Sequence, residues 1–211
     1  MTHELLVALV GFAFVTSVTP GPNNMMLLAS GVNFGLRRSL PHMLGISVGH
    51  SLMVFLLGLG VAGAIHASPT AGLVLKILSV AYMLWLAWKI ANAAAPGEGK
   101  AGGEGKAGDG SNVTGRPLTF LQAAAFQWVN PKAWAMALGA VSAYAPEGSV
   151  GAVTVVAVVF ACVNLPSVTV WAAAGQGIRG WLEGPGRLRA FNWTMAFLLV
   201  LSLIPVVVME A

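Results

Sequence analysis

Six apolar stretches dominate the sequence: Leu5 to Ser30, His42 to Ile65, Gly72 to Ala94, Leu118 to Val141, Val150 to Ala174 and Leu188 to Met209. Each has the ~20 mostly apolar residues that a helix needs to cross a hydrocarbon layer. Inside that layer a chain must satisfy its own backbone hydrogen bonds, so a helical bundle is the architecture these stretches permit. Composition points the same way: 57% of residues are hydrophobic and only 9% charged, against about 25% charged in an average soluble domain. A soluble fold could not cover its surface with so few charges. A chain of 211 residues holds about six such spans with short connections, and no separate enzymatic domain. The predicted fold class is therefore an all-α membrane protein.

The few charges orient the bundle. Arg37 and Arg38 fall in the first loop, Lys89, Lys100, Lys106 and Arg116 at or within the third, and Arg179, Arg187 and Arg189 around the fifth. The second and fourth loops contain neither Lys nor Arg. Loops retained in the cytoplasm are enriched in these residues, so the odd loops are expected there and both termini outside it. His3 and Glu4 precede the first apolar run where a signal peptide would carry Lys or Arg, so that run is expected to be a span rather than a cleaved leader. Ser39-Leu40-Pro41 reads as the cap and first turn of the second helix, and Ser68 before Pro69 as the start of the third. The net charge of +4 comes with no basic patch interleaved with aromatics, so no nucleic-acid partner is expected.

The third loop divides the chain into residues 1–94, a Gly-rich cytoplasmic linker at 95–117, and residues 118–211. Its Gly97 to Gly102 (GEGKAG) is repeated as Gly103 to Gly108, a flexible tether by composition. Lys100 and Lys106 are each followed by Ala rather than Ser or Thr, which argues against a nucleotide loop. The Asn112-Val113-Thr114 sequon reads as a chance match in a cytoplasmic loop. Three spans on each side force the halves into opposite orientations if they share a fold, the inverted-repeat plan of many secondary transporters.

Two interruptions carry the chemistry. Thr19-Pro20-Gly21-Pro22-Asn23-Asn24 lies inside the first apolar stretch; two prolines remove amide donors and obstruct the preceding turn, so the helix should break there. Gln127-Trp128-Val129-Asn130-Pro131-Lys132 interrupts the fourth. Singly, each reads equally as a proline kink. Paired breaks at corresponding places in opposed halves favour a binding site instead.

The TPGPNN near the end of the first span, the Gly-rich second span and the Gln-x-x-Asn-Pro-Lys-Ala opening the second half resemble the LysE/RhtB family of amino-acid exporters over nearly the whole chain. The resemblance implies efflux of amino acids, such as basic residues, threonine, homoserine or their relatives, across a bacterial inner membrane, driven by the proton gradient. It carries a site role onto Thr19, Pro20, Gly21, Pro22 and Asn23, then Gln127, Asn130, Pro131 and Lys132.

Residue chemistry fits such a cargo. A zwitterion needs donors and acceptors close together, and a broken helix offers amides at its new N-terminus and carbonyls at its new C-terminus. Asn23, Asn24 and Asn130 can donate to a carboxylate and accept from an ammonium. Lys132 reads either as a partner for a carboxylate or as a lysine snorkelling to the interface. His50 follows Gly45 and Gly49 in the second span; it is the evident intramembrane proton carrier, because no Asp or Glu lies in a span interior, though a neutral His bonded to a neighbouring helix is the plainer reading. The two glycines allow a close helix approach, from within the chain or from a second copy in a homodimer. Asn164-Leu165-Pro166, halfway along the fifth span, either brings Asn164 to the cavity of His50 or merely bends the helix. Cys162 reads as core packing. Trp85, Trp88, Trp181 and Trp193 read as headgroup anchors, with membrane lipid as their partner.

No cofactor, metal or catalytic residue is expected. A related six-helix thiol-redox or metal-handling protein is the alternative, but it would need paired Cys or a His/Asp cluster where this chain has one Cys and four scattered His. A membrane enzyme would need a Ser-His pair, a metal motif or paired aspartates.

Overall fold

The computed structural model describes residues 1–61, 63, 69–93, 116–182 and 184–204. Its elements are helices: α1 (His3–Val18), α2 (Pro22–Phe34), α3 (Leu36–Leu56), α4 (Pro69–Ala91), α5 (Phe120–Phe126), α6 (Pro131–Tyr144), α7 (Val150–Ile178) and α8 (Pro185–Leu201). Side-chain caps start four of them, Asn130 at α6 among these. Thr2 accepts from the Leu5 amide at 3.3 Å, Ser149 from the Ala152 amide at 3.3 Å, and Thr119 forms a capping box with Gln122. Such caps satisfy amides that a helix leaves without partners.

Leu36–Val61, Gly72–Ala91 and Val150–Ile178 are each long and apolar enough to cross a membrane. A fourth crossing is made if α1 and α2, bent by 56° at their junction, act as one broken span. The outside of the bundle is apolar: Leu73, Val74, Ile77 and Leu78 of α4 and Val150, Val158 and Val170 of α7 are all about half exposed. Water would penalise that surface, whereas lipid does not.

The break of the first apolar stretch and that of the fourth appear where the prolines predict them. The start of α3 does not. Gly35, at φ 79°, turns the chain directly from α2 into α3, so the helix begins at Leu36 and Pro41 lies inside it. Ser39 is not a cap; its hydroxyl bonds the Gly35 carbonyl at 2.9 Å and the Ser30 hydroxyl at 2.7 Å. Pro41 is tolerated near the helix start because the carbonyl it leaves without a helical donor belongs to Arg37, an exposed residue. Cys162 also departs from expectation: it is exposed, because α7 buries the stripe through Val156, Phe160, Asn164 and Ser167 and turns Cys162 away. Ser68, both GEGKAG repeats and the sequon lie outside the described residues.

Close crossings are set by glycine. A methyl at Gly31 of α2 would strike the Ala172 carbonyl of α7, and one at Gly175 of α7 the Leu28 carbonyl of α2. The expected glycine face of α3 packs on α5, where a methyl at Gly49 would come within 2.5 Å of the Ala124 Cα and one at Gly45 would meet the Phe120 carbonyl. That face is therefore filled from within the chain and is not available to a second copy. Elsewhere α3 packs on α7, α1 on α7, and α4 on α8.

The interior holds two main apolar clusters. One gathers Met26, Leu27, Ile46, Met83, Phe126 and Leu199; the other gathers Leu9, Met53, Leu57, Met136, Val153 and Phe160. Buried Ser17, Asn24, His50, Asn130 and Asn164 line the cavity described next, and buried Ser47 and Gln127 bond to its lining.

Candidate functional site

The first break exposes backbone carbonyls, and the chain satisfies each of them. Thr19 turns its own hydroxyl back to the Thr16 carbonyl at 3.0 Å. The Asn24 side-chain amide donates to the Ser17 carbonyl at 2.9 Å and to the Thr19 carbonyl at 2.7 Å. Trp171 of α7 donates from Nε1 to the Val18 carbonyl at 3.0 Å. Lys132 of α6 supplies the rest, its Nζ donating to the Thr19 carbonyl at 2.6 Å, the Thr19 hydroxyl at 2.9 Å and the Pro20 carbonyl at 3.3 Å. In an apolar surround an unpaired carbonyl is costly, which explains why three side chains converge here. Gly21 makes room for the lysine, since a Cβ there would lie 2.6 Å from Lys132 Cδ.

The second break is a single 3-10 turn, Gln127–Val129, followed by Asn130 in extended backbone. Asn130 caps α6 by accepting from the Lys132 amide at 3.1 Å, and Pro131 takes the first helical position, where no amide is needed. Trp134 folds back to donate to the Trp128 carbonyl at 2.9 Å.

A reciprocal amide pair joins the breaks. Asn23 Nδ2 donates to Gln127 Oε1 at 2.8 Å, and Gln127 Nε2 donates to Asn23 Oδ1 at 3.2 Å. Together with the lysine bridge this ties α2 and the end of α1 to the break between α5 and α6. Asn164 extends the network, donating to the Ser17 hydroxyl at 3.1 Å and accepting from the Ser47 hydroxyl at 3.0 Å. Ser51 of α3 bonds the Ala157 carbonyl of α7.

These groups surround a cavity lined by Gly21, Asn23, Asn24, His50, Asn130, Lys132 and Asn164, with Met136 and Val168 as apolar walls. It offers about 20 Å³, room for one water molecule and too little for an amino acid. His50 is fully enclosed, and neither ring nitrogen has a partner in the chain. Its ring meets that of Phe160 edge to face at 5.0 Å. The Asn23 and Asn24 amides stand in the first turn of α2, where no intrahelical acceptor exists, so the cavity receives the positive end of that helix.

Sequence reasoning thus named residues that do come together: both breaks, His50 and Asn164 share one cavity. Pro166 does not interrupt α7, so Asn164 contributes by its position. His50 is not bonded to a neighbouring helix. The Lys132 ammonium, expected to face either a carboxylate or the interface, here holds the carbonyls of Thr19 and Pro20 just beyond α1. Ser17, Ser47 and Trp171 were missed. The serines could have been found as hydroxyls within apolar runs, but nothing local marks Trp171, whose partner is 153 residues away in sequence.

A bundle sheathed in apolar side chains, with a polar cavity enclosed at two helix breaks, has the construction of a membrane translocator. Sequence comparison agrees: the family LysE type translocator matches residues 14–206. The chain belongs to that family. It is 31% identical over 203 residues to the cysteine/O-acetylserine efflux protein of Escherichia coli (strain K12), covering 95% of this chain and 96% of that one. The same identity and coverage hold for the protein of that name from Shigella sonnei (strain Ss046). No solved structure matches the chain.

Proposed function

We propose that this protein exports a small neutral amino acid or O-acylated amino acid from the cytoplasm, by exchange with protons. The observation that carries this reading is the convergence of both helix breaks on one enclosed polar cavity. Free amides at the start of α2, with Asn130 beside them, suit a carboxylate; the oxygens now held by Lys132 and Asn24 suit an ammonium. A basic side chain would find no carboxylate among the residues lining the cavity, which favours a neutral cargo over lysine. The efflux relatives named for cysteine and O-acetylserine support the same size and charge.

The packing supports six spans in two inverted three-helix repeats. Each half's broken span packs on the other half's middle helix, the middle helices α3 and α7 pack on each other, and so do the last helices α4 and α8. Exchange of the halves preserves that pattern. In this reading the odd loops are cytoplasmic and the termini extracytoplasmic. Because the cavity is too small for cargo, transport requires the Asn23–Gln127 pair and the Lys132 bridge to open, and His50 carries the proton.

The test is uptake into inverted vesicles or proteoliposomes under an imposed pH gradient, using labelled cysteine, O-acetylserine, threonine, homoserine and lysine. Gradient-driven accumulation of a neutral solute is expected, lost in Asn23→Ala and in Lys132→Met. Lack of movement for the whole panel, or full activity in both variants, refutes the assignment.

A further inference from the structure

A second cavity, of about 50 Å³, lies between the C-terminal part of α2, the first turns of α3, the end of α4 and residues 116–118. Its polar lining sorts into groups already paired and groups left over. Ser30 is bonded to Ser39 at 2.7 Å, and Asn33 donates to the Asn192 side-chain oxygen at 2.9 Å and to the Ala29 carbonyl at 2.8 Å. His42, in contrast, is only 2% exposed and neither of its ring nitrogens has a partner. Lys89 and Arg116 share the lining and no carboxylate does among the described residues. Lys89 Nζ rests over the Trp85 ring, 5.4 Å from its centroid.

Part of this has a plain explanation. α2 ends at Phe34 and α4 at Ala91, and cations beside helix C-termini balance the negative end of the dipole. That accounts for Lys89 and Arg116 but not for an enclosed imidazole facing open space. Burial strips both ring nitrogens of water, and a structure that offers nothing in return is at odds with the general pairing of buried polar groups. The rest of the wall is apolar, formed chiefly by Met26, Leu86 and Ile90.

We propose that this cavity is a second ligand site, which takes an anionic head attached to an apolar body. The carboxylate or phosphate of such a ligand lies between Lys89 and Arg116 within reach of the His42 ring; about 50 Å³ holds little more than that head, so Met26, Leu86 and Ile90 must shift to admit the apolar part. Arg38 lies over the ring of the lining residue Phe34, 5.7 Å from its centroid, and adds positive charge near the site for a ligand that comes either free from solution or as a membrane lipid. The site shares no lining residue with the central cavity and does not depend on what that cavity transports.

The experiment uses the full chain purified in a neutral detergent and titrated calorimetrically with octanoate, with octylammonium as the opposite-charge control. A parallel sample is reconstituted in phosphatidylcholine with and without phosphatidylglycerol and read by native mass spectrometry. Saturable octanoate binding, absent for octylammonium and weakened roughly tenfold in Lys89→Gln/Arg116→Gln, assigns the site to a free anion. Phosphatidylglycerol retained by the wild type and lost by the double variant assigns it to lipid. His42→Phe should weaken whichever ligand binds; if that variant fails to fold, Arg116→Gln alone, at an exposed side chain, carries the test. Asn23→Ala should abolish export while leaving this binding unchanged, which separates the two sites. The proposal is overturned if neither octanoate nor phosphatidylglycerol binds, or if the double variant binds both as well as the wild type.

Discussion

The amide pair between Asn23 and Gln127 makes a quantitative prediction. It consists of two neutral hydrogen bonds, at 2.8 and 3.2 Å, each contributing about 0.5–1.5 kcal/mol in proteins generally and averaging about 0.6 kcal/mol inside membranes. Asn23→Ala strands Oε1 of Gln127, a residue with 0% exposure, so desolvation without a partner adds to the lost bonds and the expected cost is about 1–3 kcal/mol. Gln127→Ala removes the same two bonds together with the contact from Nε2 to the Ala123 carbonyl, but it leaves Asn23 half-buried at the cavity, where water can reach it. Its cost should fall at the lower end of that range. In the double variant nothing is stranded, so the two effects should fall short of additivity by about 1–2 kcal/mol. Reversible unfolding in mixed micelles with increasing dodecyl sulfate measures all four corners of the cycle. Exchanging the two residues, Asn23→Gln with Gln127→Asn, conserves the combined chain length and should recover part of the loss. Costs that add to within about 0.3 kcal/mol would show that the residues do not interact, and the reasoning about a latch between the halves would fall with them.

The other predictions test neighbouring parts of the site. Gly21→Ala places a methyl 2.6 Å from Lys132 Cδ and 3.1 Å from Nζ; because that side chain can swing away, export should fall as in Lys132→Met, and the double variant should be no worse than either single one in vesicle assays. Gly175→Ala drives a methyl into the Leu28 carbonyl and should cost about 1–3 kcal/mol or more, whereas Gly11→Ala and Gly177→Ala, with nothing within 4 Å, should stay within about 0.5 kcal/mol; thermal unfolding in detergent distinguishes them. His50→Gln should keep solute exchange across vesicles but lose its response to an imposed pH gradient. Asn164→Leu leaves the Ser17 and Ser47 hydroxyls without their shared partner and should reduce both unfolding temperature and transport.

Much of the architecture was legible because the underlying physics is local. Twenty apolar residues in a row demand a helix in lipid, and Pro20, Pro22 and Pro131 interrupt the hydrogen-bond ladder wherever the helix lies. Asn23, Asn130 and Lys132 stood out because polar groups beside such breaks are costly unless they are used. Local rules failed where a neighbour decided the outcome. Gly35 carried the turn assigned to Ser39 and Pro41, and Cys162 proved exposed because the stripe that α7 buries depends on where α2 and α3 sit.

By itself, then, the sequence determined that the chain is helical, suited to a membrane, and broken at two places rich in Asn and Pro; these follow from residues acting within their own turns. Only tertiary structure decided how the opened backbone is satisfied. Lys132 crosses from α6 to the carbonyls of Thr19 and Pro20, Trp171 comes from α7, and Gln127 meets Asn23 from 104 residues away. The physical reason is that a carbonyl freed by proline states a need without naming its donor, and the donor is set by which helices the paired glycines bring together.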